Sequence, residues 1–194
     1  MTSPRPLVMR APLLVSLLVV SATVVVLKLL GRVWWCECAT PTLFVSDPAT
    51  RHNSQHVFDW YSFSHVLHGV IFFWLLWPLR RRLSLAWRVA IAVLVEAVWE
   101  VLENTPAVID RYRTATAALG YEGDSVVNSV GDILFCAAGF FLAGGIGWRW
   151  SITLFVVLEF TMLAFIRDNL ALNVLMLLYP LEGVRAWQEA RLSG

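Results

Sequence analysis

The side chains best suited to chemistry lie on three largely apolar stretches of this 194-residue chain. His65 and His68 are three residues apart, a spacing that puts both imidazoles on one face of a helix. Two later stretches repeat polar side chains at helical spacing, Glu96, Glu100 and Glu103 on one and Asp124, Asn128 and Asp132 on the other. Ionisable groups inside a bilayer cost about 2.5 kcal/mol or more each, so such a set indicates a functional site.

Two imidazoles and several carboxylates favour a divalent metal site. Their nitrogen and oxygen atoms suit Zn, Mn or Fe, and an open coordination position could activate water or polarise a phosphoryl oxygen. The predicted metal ligands are His65, His68, Glu100 and Asp124. The predicted catalytic residues are Glu100, Glu103, Asp124 and Asp132, with Arg111 and Arg113 to neutralise the carboxylates or hold an anionic headgroup. No H-E-x-x-H motif is present, so the pattern indicates no particular metal.

The same residues also have ordinary structural interpretations. Asp124 or Ser125 could cap a helix, Glu103 could pair with an arginine, and the histidines could hydrogen-bond a loop. Glu159 is isolated in a later apolar stretch and fits either a packing hydrogen bond or a proton-linked group. A functional site is favoured because seven ionisable residues at one depth on three helices are costly to keep for packing alone.

The cysteines give little indication of redox or metal chemistry. Three are too few for a disulfide framework, and none forms a C-x-x-C motif. Cys36 and Cys38, one residue apart, could bind a soft metal or form a redox pair. We expect neither, because a disulfide at this spacing is strained and two thiols without a nearby histidine make an incomplete site. Both are therefore interpreted as incidental thiols.

Composition indicates a membrane protein. Hydrophobic residues make up 58% of the chain and charged residues 15%, and the mean hydropathy is +0.67, all outside the usual range of soluble domains. A net charge of +1 argues against nucleic-acid binding and leaves membrane lipids as the expected partners. We predict an all-α, polytopic transmembrane helix bundle that forms one domain over residues 1–194. Six spans are predicted at 13–30, 63–79, 85–102, 126–146, 152–166 and 170–181.

The first and last of these spans each have an alternative interpretation. The first could be a signal peptide, but its apolar run exceeds a normal signal core and no small-residue cleavage pattern follows, so we expect a signal anchor. Residues 170–181 are few for a span and could form a tilted helix or a re-entrant segment. The small residues of the fourth span, such as Gly139 and Gly144, indicate close helix packing.

The arginines predict which ends of the helices face the cytoplasm. Short cytoplasmic loops are rich in basic residues. In the six-span arrangement one side carries most of the arginines, namely Arg5, Arg10, Arg80, Arg81, Arg82, Arg88, Arg149, Arg185 and Arg191. Both termini are therefore predicted to be cytoplasmic in a bacterial inner membrane. The two stripes of polar side chains, Glu96, Glu100 and Glu103 on one helix and Asp124, Asn128 and Asp132 on another, then lie near the periplasmic face.

Several motifs resemble those of a bacterial family of multi-pass inner-membrane proteins of unknown function. The motifs are His52-Asn53-Ser54-Gln55-His56, His65-Val66-Leu67-His68-Gly69, Glu100-Val101-Leu102-Glu103-Asn104-Thr105-Pro106, Asp110-Arg111-Tyr112-Arg113 and Gly123-Asp124-Ser125-Val126-Val127-Asn128-Ser129. The resemblance implies an inner-membrane location. The spacing of Asp124, Asn128 and Gly131 also resembles a pattern of VanZ-like membrane proteins, which are associated with teicoplanin resistance. The arginine that precedes that pattern is displaced here to Arg111 or Arg113.

Together these features favour a periplasm-facing hydrolase or transferase that acts on a lipid or lipid-linked envelope substrate, with a divalent metal as the expected cofactor. A proton- or cation-coupled transporter is the alternative, and Glu159 is its main support. It is the weaker hypothesis because the inner halves of spans two to four have almost no ionisable residues. A membrane assembly factor or structural subunit is a third hypothesis. The sequence leaves the oligomeric state open.

Overall fold

The computed structural model describes residues 6–38, 40, 42–48, 50–116 and 120–192. Within these residues the fold is mostly helical, which confirms the prediction of an all-α protein. The helices are α1 (Pro6–Leu29), α2 (Ser62–Leu75), α3 (Leu85–Glu103), α4 (Pro106–Ala115), α5 (Val126–Ile166), α6 (Leu170–Leu178) and α7 (Glu182–Leu192). Two short strands, β1 (Phe44–Val45) and β2 (Phe58–Asp59), pair in parallel, and a 3₁₀ helix covers Trp77–Arg81. Arg5 lies outside the described residues, as does the side chain of Arg191.

Two of the described helices are long and apolar enough to cross a membrane. They are the segment Arg10–Leu29 of α1 and the whole of α5. The apolar helix α2 is shorter, at 14 residues. These lengths agree with membrane association, whereas the predicted number of spans stays a prediction.

Helix α5 consists of two halves that run in opposite directions along α2. Its helical dihedral angles are interrupted at Gly147, which has φ 77° and ψ 174°, a conformation that glycine adopts without steric cost. In the first half (126–146), Gly139 lies against Val66 and Gly144 lies further along, against Phe73. In the second half (148–166) the order is reversed, since Trp148 borders Trp74 while Met162 accepts a hydrogen bond from Ser64. The chain therefore turns back at Gly147, between the predicted fourth and fifth spans.

Helix α2 and the first half of α5 approach each other backbone to backbone. A Cβ atom built on Gly69 would collide with the carbonyl oxygen of Cys136, and one on Gly139 would collide with that of Val66. Small residues allow this close approach, which gives helices in a membrane van der Waals contact and removes the need for a hydrophobic driving force. The predicted packing role of Gly139 agrees with this contact.

We expect Gly139→Ala to lower the free energy of unfolding by about 1–3 kcal/mol, because the added methyl group meets a backbone carbonyl that cannot rotate away. Gly145→Ala is the matched control, since nothing lies within 4 Å of a Cβ at that position of the same helix. Detergent-induced unfolding of the two purified variants checks this difference. Equal midpoints for both variants would contradict the close packing of α2 on α5.

Helix α6 differs from the predicted sixth span. Its nine residues cover only about 14 Å, less than half of a hydrocarbon core. Both of its ends contact α4, since Tyr112 donates a hydrogen bond to Asn173 and Arg111 donates one to the carbonyl of Leu177. Helix α6 therefore stays at one end of the bundle. The helix is shorter than the predicted segment 170–181, and a crossing at this position stays a prediction beside its re-entrant alternative.

Helix α7 lies at the same end of the bundle as α4. Arg185 donates a hydrogen bond from Nη1 to the carbonyl of Thr114, and Gln188 donates one to the carbonyl of Arg167. These contacts hold α7 beside the end of α4. The predicted placement of Arg185 with the cytoplasmic arginines stays a prediction.

Candidate functional site

The polar end of the bundle is the end at which α2 and α5 begin and α3 ends. Side-chain caps define these helix ends. Ser125 accepts a hydrogen bond from the backbone N–H of Asn128 at 3.1 Å, so it is the N-cap that the sequence suggested for α5. Asn104 follows the last residue of α3 and donates its amide to the carbonyl of Glu100 at 3.0 Å. Because these ends are held in place, the stripes predicted on three helices face one another.

Glu96 holds both predicted histidines. Its carboxylate is fully buried and lies 2.5 Å from Nδ1 of His65 and 3.0 Å from Nδ1 of His68. A carboxylate only accepts hydrogen bonds, so each imidazole donates from Nδ1 and keeps Nε2 as its free nitrogen. Glu96 therefore orients the two rings as a carboxylate orients a metal-binding histidine.

Two further carboxylates lie on opposite sides of His65. Glu100 Oε1 is 3.4 Å from its Nδ1, and Asp132 Oδ2 is 3.8 Å from its Nε2. Glu100 is fully buried, and neither of its oxygens accepts a hydrogen bond in the described part of the chain. A buried carboxylate without donors is unfavourable unless it takes up a proton or a cation.

The donor atoms at the polar end form two groups that could each hold a metal ion. One group is His65, His68 and Glu96, and the other is His65, Glu100 and Glu103. In each group the ligand atoms lie within 4.8 Å of one another. Three of the four predicted metal ligands thus belong to these groups.

Asp124, the fourth predicted ligand, occupies a different position. Its side chain accepts hydrogen bonds from the Asn104 amide at 2.8 Å and the Tyr121 hydroxyl at 2.9 Å. Burial raises the pKa of the Asp124 carboxyl, and these two hydrogen bonds oppose that rise. The contacts join the loop before α5 to the end of α3, whereas the helix cap that the sequence offered for Asp124 or Ser125 is made by Ser125. Its roles in metal binding and catalysis stay predictions.

A hydrogen-bonded chain connects Asp132 to the first long loop. Ser62 donates to Asp132 at 2.7 Å and accepts from the backbone N–H of Asp59 at 3.2 Å. The Asp59 carboxylate in turn accepts the N–H groups of Ser54 and Tyr61, each at 2.8 Å. Burial raises the pKa of Asp59, while these N–H groups oppose the rise. Sequence reasoning missed Asp59, although its position three residues before a helix start was a signal.

Neither predicted arginine faces the carboxylate cluster. The guanidinium of Arg111 binds the carbonyl of Leu177 at 2.8 Å, and that of Arg113 binds the carbonyl of Tyr121 at 2.5 Å. Arg113 also lies 4.0 Å from Asp110, a partly exposed pair of little energetic consequence. In the described residues His65 and His68, and not the arginines, are the basic side chains closest to the carboxylates. Roles for Arg111 and Arg113 in headgroup binding stay predictions.

Glu159 makes packing hydrogen bonds. Its two carboxylate oxygens accept the backbone N–H groups of Leu170 at 2.9 Å and Ala171 at 3.1 Å. These are the first residues of α6, whose N–H groups have no partner within the helix. Glu159 thus anchors α6 against the second half of α5, which favours the packing interpretation over a proton-linked one.

Asp168 links the end of α5 to the beginning of α2. The Tyr61 hydroxyl donates to its carboxylate at 3.1 Å. Burial raises the pKa of Asp168 to about 6, although the hydrogen bonds that it accepts oppose the rise. With Asn173, which accepts from Tyr112, Asp168 lies at the polar end.

A second cluster of metal-binding side chains lies in the first long loop. Cys36, Cys38, His52 and His56 place one ligand atom each within 4.8 Å of one another. The interpretation of two thiols without a nearby histidine is therefore wrong. The signal was present in the sequence, because His52 and His56 are separated by three residues, a spacing typical of zinc sites.

The fold and the site together define a mostly helical protein in which two of the described helices are long and apolar enough to cross a membrane and a histidine–carboxylate cluster is buried at one end. The chain belongs to the family described as "Protein of unknown function (DUF2585)", whose model matches residues 27–190. The predicted resemblance to a bacterial family of unknown function is thereby confirmed.

Bacterial relatives are similar over most of their length. The chain is 46% identical over 192 residues to a UPF0314 protein of Paracoccus denitrificans, covering 98% of this chain and all of the relative. It is 46% identical over 167 residues to the UPF0314 protein Atu8092 of Agrobacterium fabrum, covering 86% of this chain and 84% of the relative. It is 46% identical over 176 residues to a UPF0314 protein of Sphingopyxis alaskensis, covering 90% of this chain and 93% of the relative. No solved structure matches the chain.

Proposed function

We propose that the polar end is a metal-dependent hydrolytic or group-transfer site acting on a lipid or lipid-linked substrate of the bacterial envelope. The observation that carries this proposal is Glu100, a fully buried carboxylate that accepts no hydrogen bond from the described residues and lies beside His65 and Glu103. Such a group raises the energy of the metal-free protein. A divalent ion held by His65, Glu100 and Glu103 would neutralise this carboxylate.

The neighbouring residues fit distinct roles around such an ion. The proposed ligands are His65, Glu100 and Glu103. Glu96 does not belong to this set, and it orients the imidazole of His65 through the hydrogen bond to Nδ1. A divalent ion supplies a water of lowered pKa or polarises a phosphoryl oxygen. Asp132, 3.8 Å from Nε2 of His65 and bound to Ser62, is placed to accept a proton.

A lipid substrate is supported by an apolar groove further along α2 from His68. The groove has a volume of about 420 Å³ and lies between α2 and the second half of α5. Val70, Trp74, Ile152 and Phe155 line it. An acyl or prenyl chain fits an apolar groove of this kind, while its headgroup would extend toward the polar end.

The proposed arrangement in the membrane has five spans. These are α1, α2, α3 and the two halves of α5, with α4, α6 and α7 on the outer side. Arg149 follows the turn at Gly147, and Arg80 and Arg81 lie in the 3₁₀ helix after α2. All three arginines lie at the end of the bundle opposite to the polar end. A cytoplasmic location for these arginines places the polar end at the periplasmic face of the inner membrane.

A reporter at the C-terminus is expected to distinguish five spans from six. With α7 held beside Thr114 and Arg167, alkaline phosphatase fused to the last residue becomes active in the periplasm, and a fluorescent protein fused there stays dark. Fusions after Arg82, which is cytoplasmic in both arrangements, are the control and give the opposite result. A fluorescent C-terminal fusion with inactive phosphatase would reject the five-span arrangement.

Manganese binding by the full chain in detergent micelles tests the proposed function. Mn²⁺ prefers oxygen and imidazole ligands over thiolates, so it reports on the polar end and not on the cysteines. We expect the wild type to bind one ion and His65→Ala/His68→Ala to bind none. We then expect the metal-loaded wild type to release phosphate from a panel of glycerolipid and prenyl phosphates. Neither the metal-free wild type nor the double variant should do so. Equal Mn²⁺ binding by the double variant would refute the site.

A further inference from the structure

The first long loop brings two cysteines and two histidines together in pairs. Nδ1 of His52 lies 3.3 Å from the sulfur of Cys36, and Nε2 of His56 lies 3.6 Å from the sulfur of Cys38. The two sulfurs lie within bonding distance of each other, so the oxidised chain holds a disulfide. In a tetrahedral zinc site a thiolate sulfur and an imidazole nitrogen are separated by about 3.5 Å. The two sulfur–nitrogen distances already match that geometry.

The order of the four residues along the chain is that of a zinc site. Residues 39–51, thirteen in number, separate Cys38 from His52, and three separate His52 from His56. Zinc sites of the Cys₂His₂ type commonly have 12–15 residues between their cysteine and histidine pairs and 3–5 between their histidines. The cysteine pair departs from that pattern, because one residue and not two or more separates Cys36 from Cys38.

The second ring nitrogen of His56 prepares it to bind a metal. Nδ1 lies 2.7 Å from the carbonyl oxygen of Thr42, which can only accept, so Nδ1 carries the proton. Nε2, the nitrogen that faces Cys38, is then the free one. His56 is almost fully buried, and its ring packs edge-on against Trp35. A fixed tautomer with a backbone acceptor behind the ring is typical of metal-binding histidines.

We propose that the reduced chain binds one Zn²⁺ through Cys36, Cys38, His52 and His56, as a structural site separate from the polar end. Reduction by a dithiol adds two electrons and two protons to the Cys36–Cys38 disulfide, while the reductant becomes a disulfide itself. Zinc then replaces the two thiol protons, which pass to solvent, and the sulfurs move apart as two thiolate ligands. Four protein ligands leave no open position, which is the arrangement of a structural and not a catalytic zinc.

The site is placed to hold the first loop on the beginning of α5. Cys36 N–H binds the carbonyl of Gln55 at 3.0 Å, between the two histidines. Gln55 donates its amide to the carbonyl of Gly123 at 2.7 Å, and Ser54 accepts from the N–H of Ser125 at 2.8 Å. A zinc ion that joins 36–38 to 52–56 therefore stabilises the loop segment that contacts the residues beside Asp124.

Cobalt titration of the full chain tests this site, because tetrahedral Co²⁺ bound by thiolates has a near-ultraviolet charge-transfer band that carboxylate sites lack. The protein is purified in detergent and reduced with a phosphine. We expect the band to saturate at one Co²⁺ per chain and to disappear on addition of Zn²⁺. Zn²⁺ should also raise the unfolding temperature of the reduced wild type by mass action. A reduced wild-type protein without the band overturns the proposal, whatever the variants do.

Variants separate this site from the remaining thiol and from the polar end. We expect Cys38→Ser to abolish the two-thiolate spectrum and His56→Ala to weaken zinc binding by at least about 100-fold. Cys136→Ser is the matched control, because that free cysteine is buried within the bundle and should leave the band unchanged. Glu100→Gln should also leave it unchanged, so failure of the proposed function does not affect this result. A band of full strength and affinity in His52→Ala/His56→Ala would refute the four-ligand site.

Discussion

Glu96→Ala is expected to lower the free energy of unfolding by about 3–5 kcal/mol, the usual effect of removing one partner of a buried ionic pair. Glu96 is fully buried and is the shared acceptor of His65 at 2.5 Å and His68 at 3.0 Å. Without it, two imidazoles lose their hydrogen-bond acceptor inside the bundle. The measurement is detergent-induced unfolding of the purified variant beside the wild type.

Val95→Ala on the same helix is the matched control for this prediction. Val95 is 46% exposed, so its truncation should change the free energy of unfolding by no more than about 0.5 kcal/mol. A double-mutant cycle between Glu96→Ala and His65→Ala should then give a coupling energy of about 0.5–3 kcal/mol. If Glu96→Ala were as stable as Val95→Ala, the carboxylate would not be the acceptor that holds the histidines.

Glu100→Gln is expected to give the opposite combination of effects, unchanged or higher stability with a loss of metal affinity on the order of 100-fold. Glu100 accepts no hydrogen bond within the described part of the chain, so neutralising it removes a buried charge without leaving a donor unpaired there. The proposed metal site loses one of its three ligands in the same step. Unfolding and Mn²⁺ titration of the same preparation measure both effects.

Glu103→Gln gives a second measurement of the same site. Glu103 belongs to the same group of ligand atoms as Glu100, so its neutralisation should weaken Mn²⁺ binding in the same direction. A surface carboxylate such as Glu122 is the control, and Glu122→Gln should leave the affinity for Mn²⁺ unchanged. Should Glu100→Gln lower stability as strongly as Glu96→Ala while binding Mn²⁺ normally, Glu100 would be a structural residue.

Helical spacing was sufficient to identify most of the polar end. Residues three or four apart share a face of a helix whatever the fold, so His65 with His68, and Glu96 with Glu100, could be grouped from their positions alone. The cost of burying ionisable groups then predicted that these faces meet away from lipid. The cap at Ser125 and the packing of Gly139 were accessible from residue type and position, and the family of unknown function from the resemblance of its motifs.

Pairing between helices could not be predicted from spacing. The rotation of α3 against α2 decides that Glu96 contacts both histidines and that Glu100 lies beside His65 without a donor. Spacing also left Arg111 free to point toward the carboxylates, whereas tertiary packing of α4 on α6 directs it to the carbonyl of Leu177. A few degrees of helix rotation move a side chain from one neighbour to another, so only the packed structure determines these contacts.

Residue types and local periodicity were enough to predict a mostly helical, apolar protein with a row of polar side chains on each of three helices and a break between the apolar runs at 126–146 and 152–166. Those features depend on residues that are close together in the chain. The tertiary structure was needed to show that the second half of α5 packs back along α2, that α6 contacts α4, and that Cys36 and Cys38 lie beside His52 and His56. These outcomes depend on the path of the backbone between elements, where residues distant in sequence meet and no periodicity relates them.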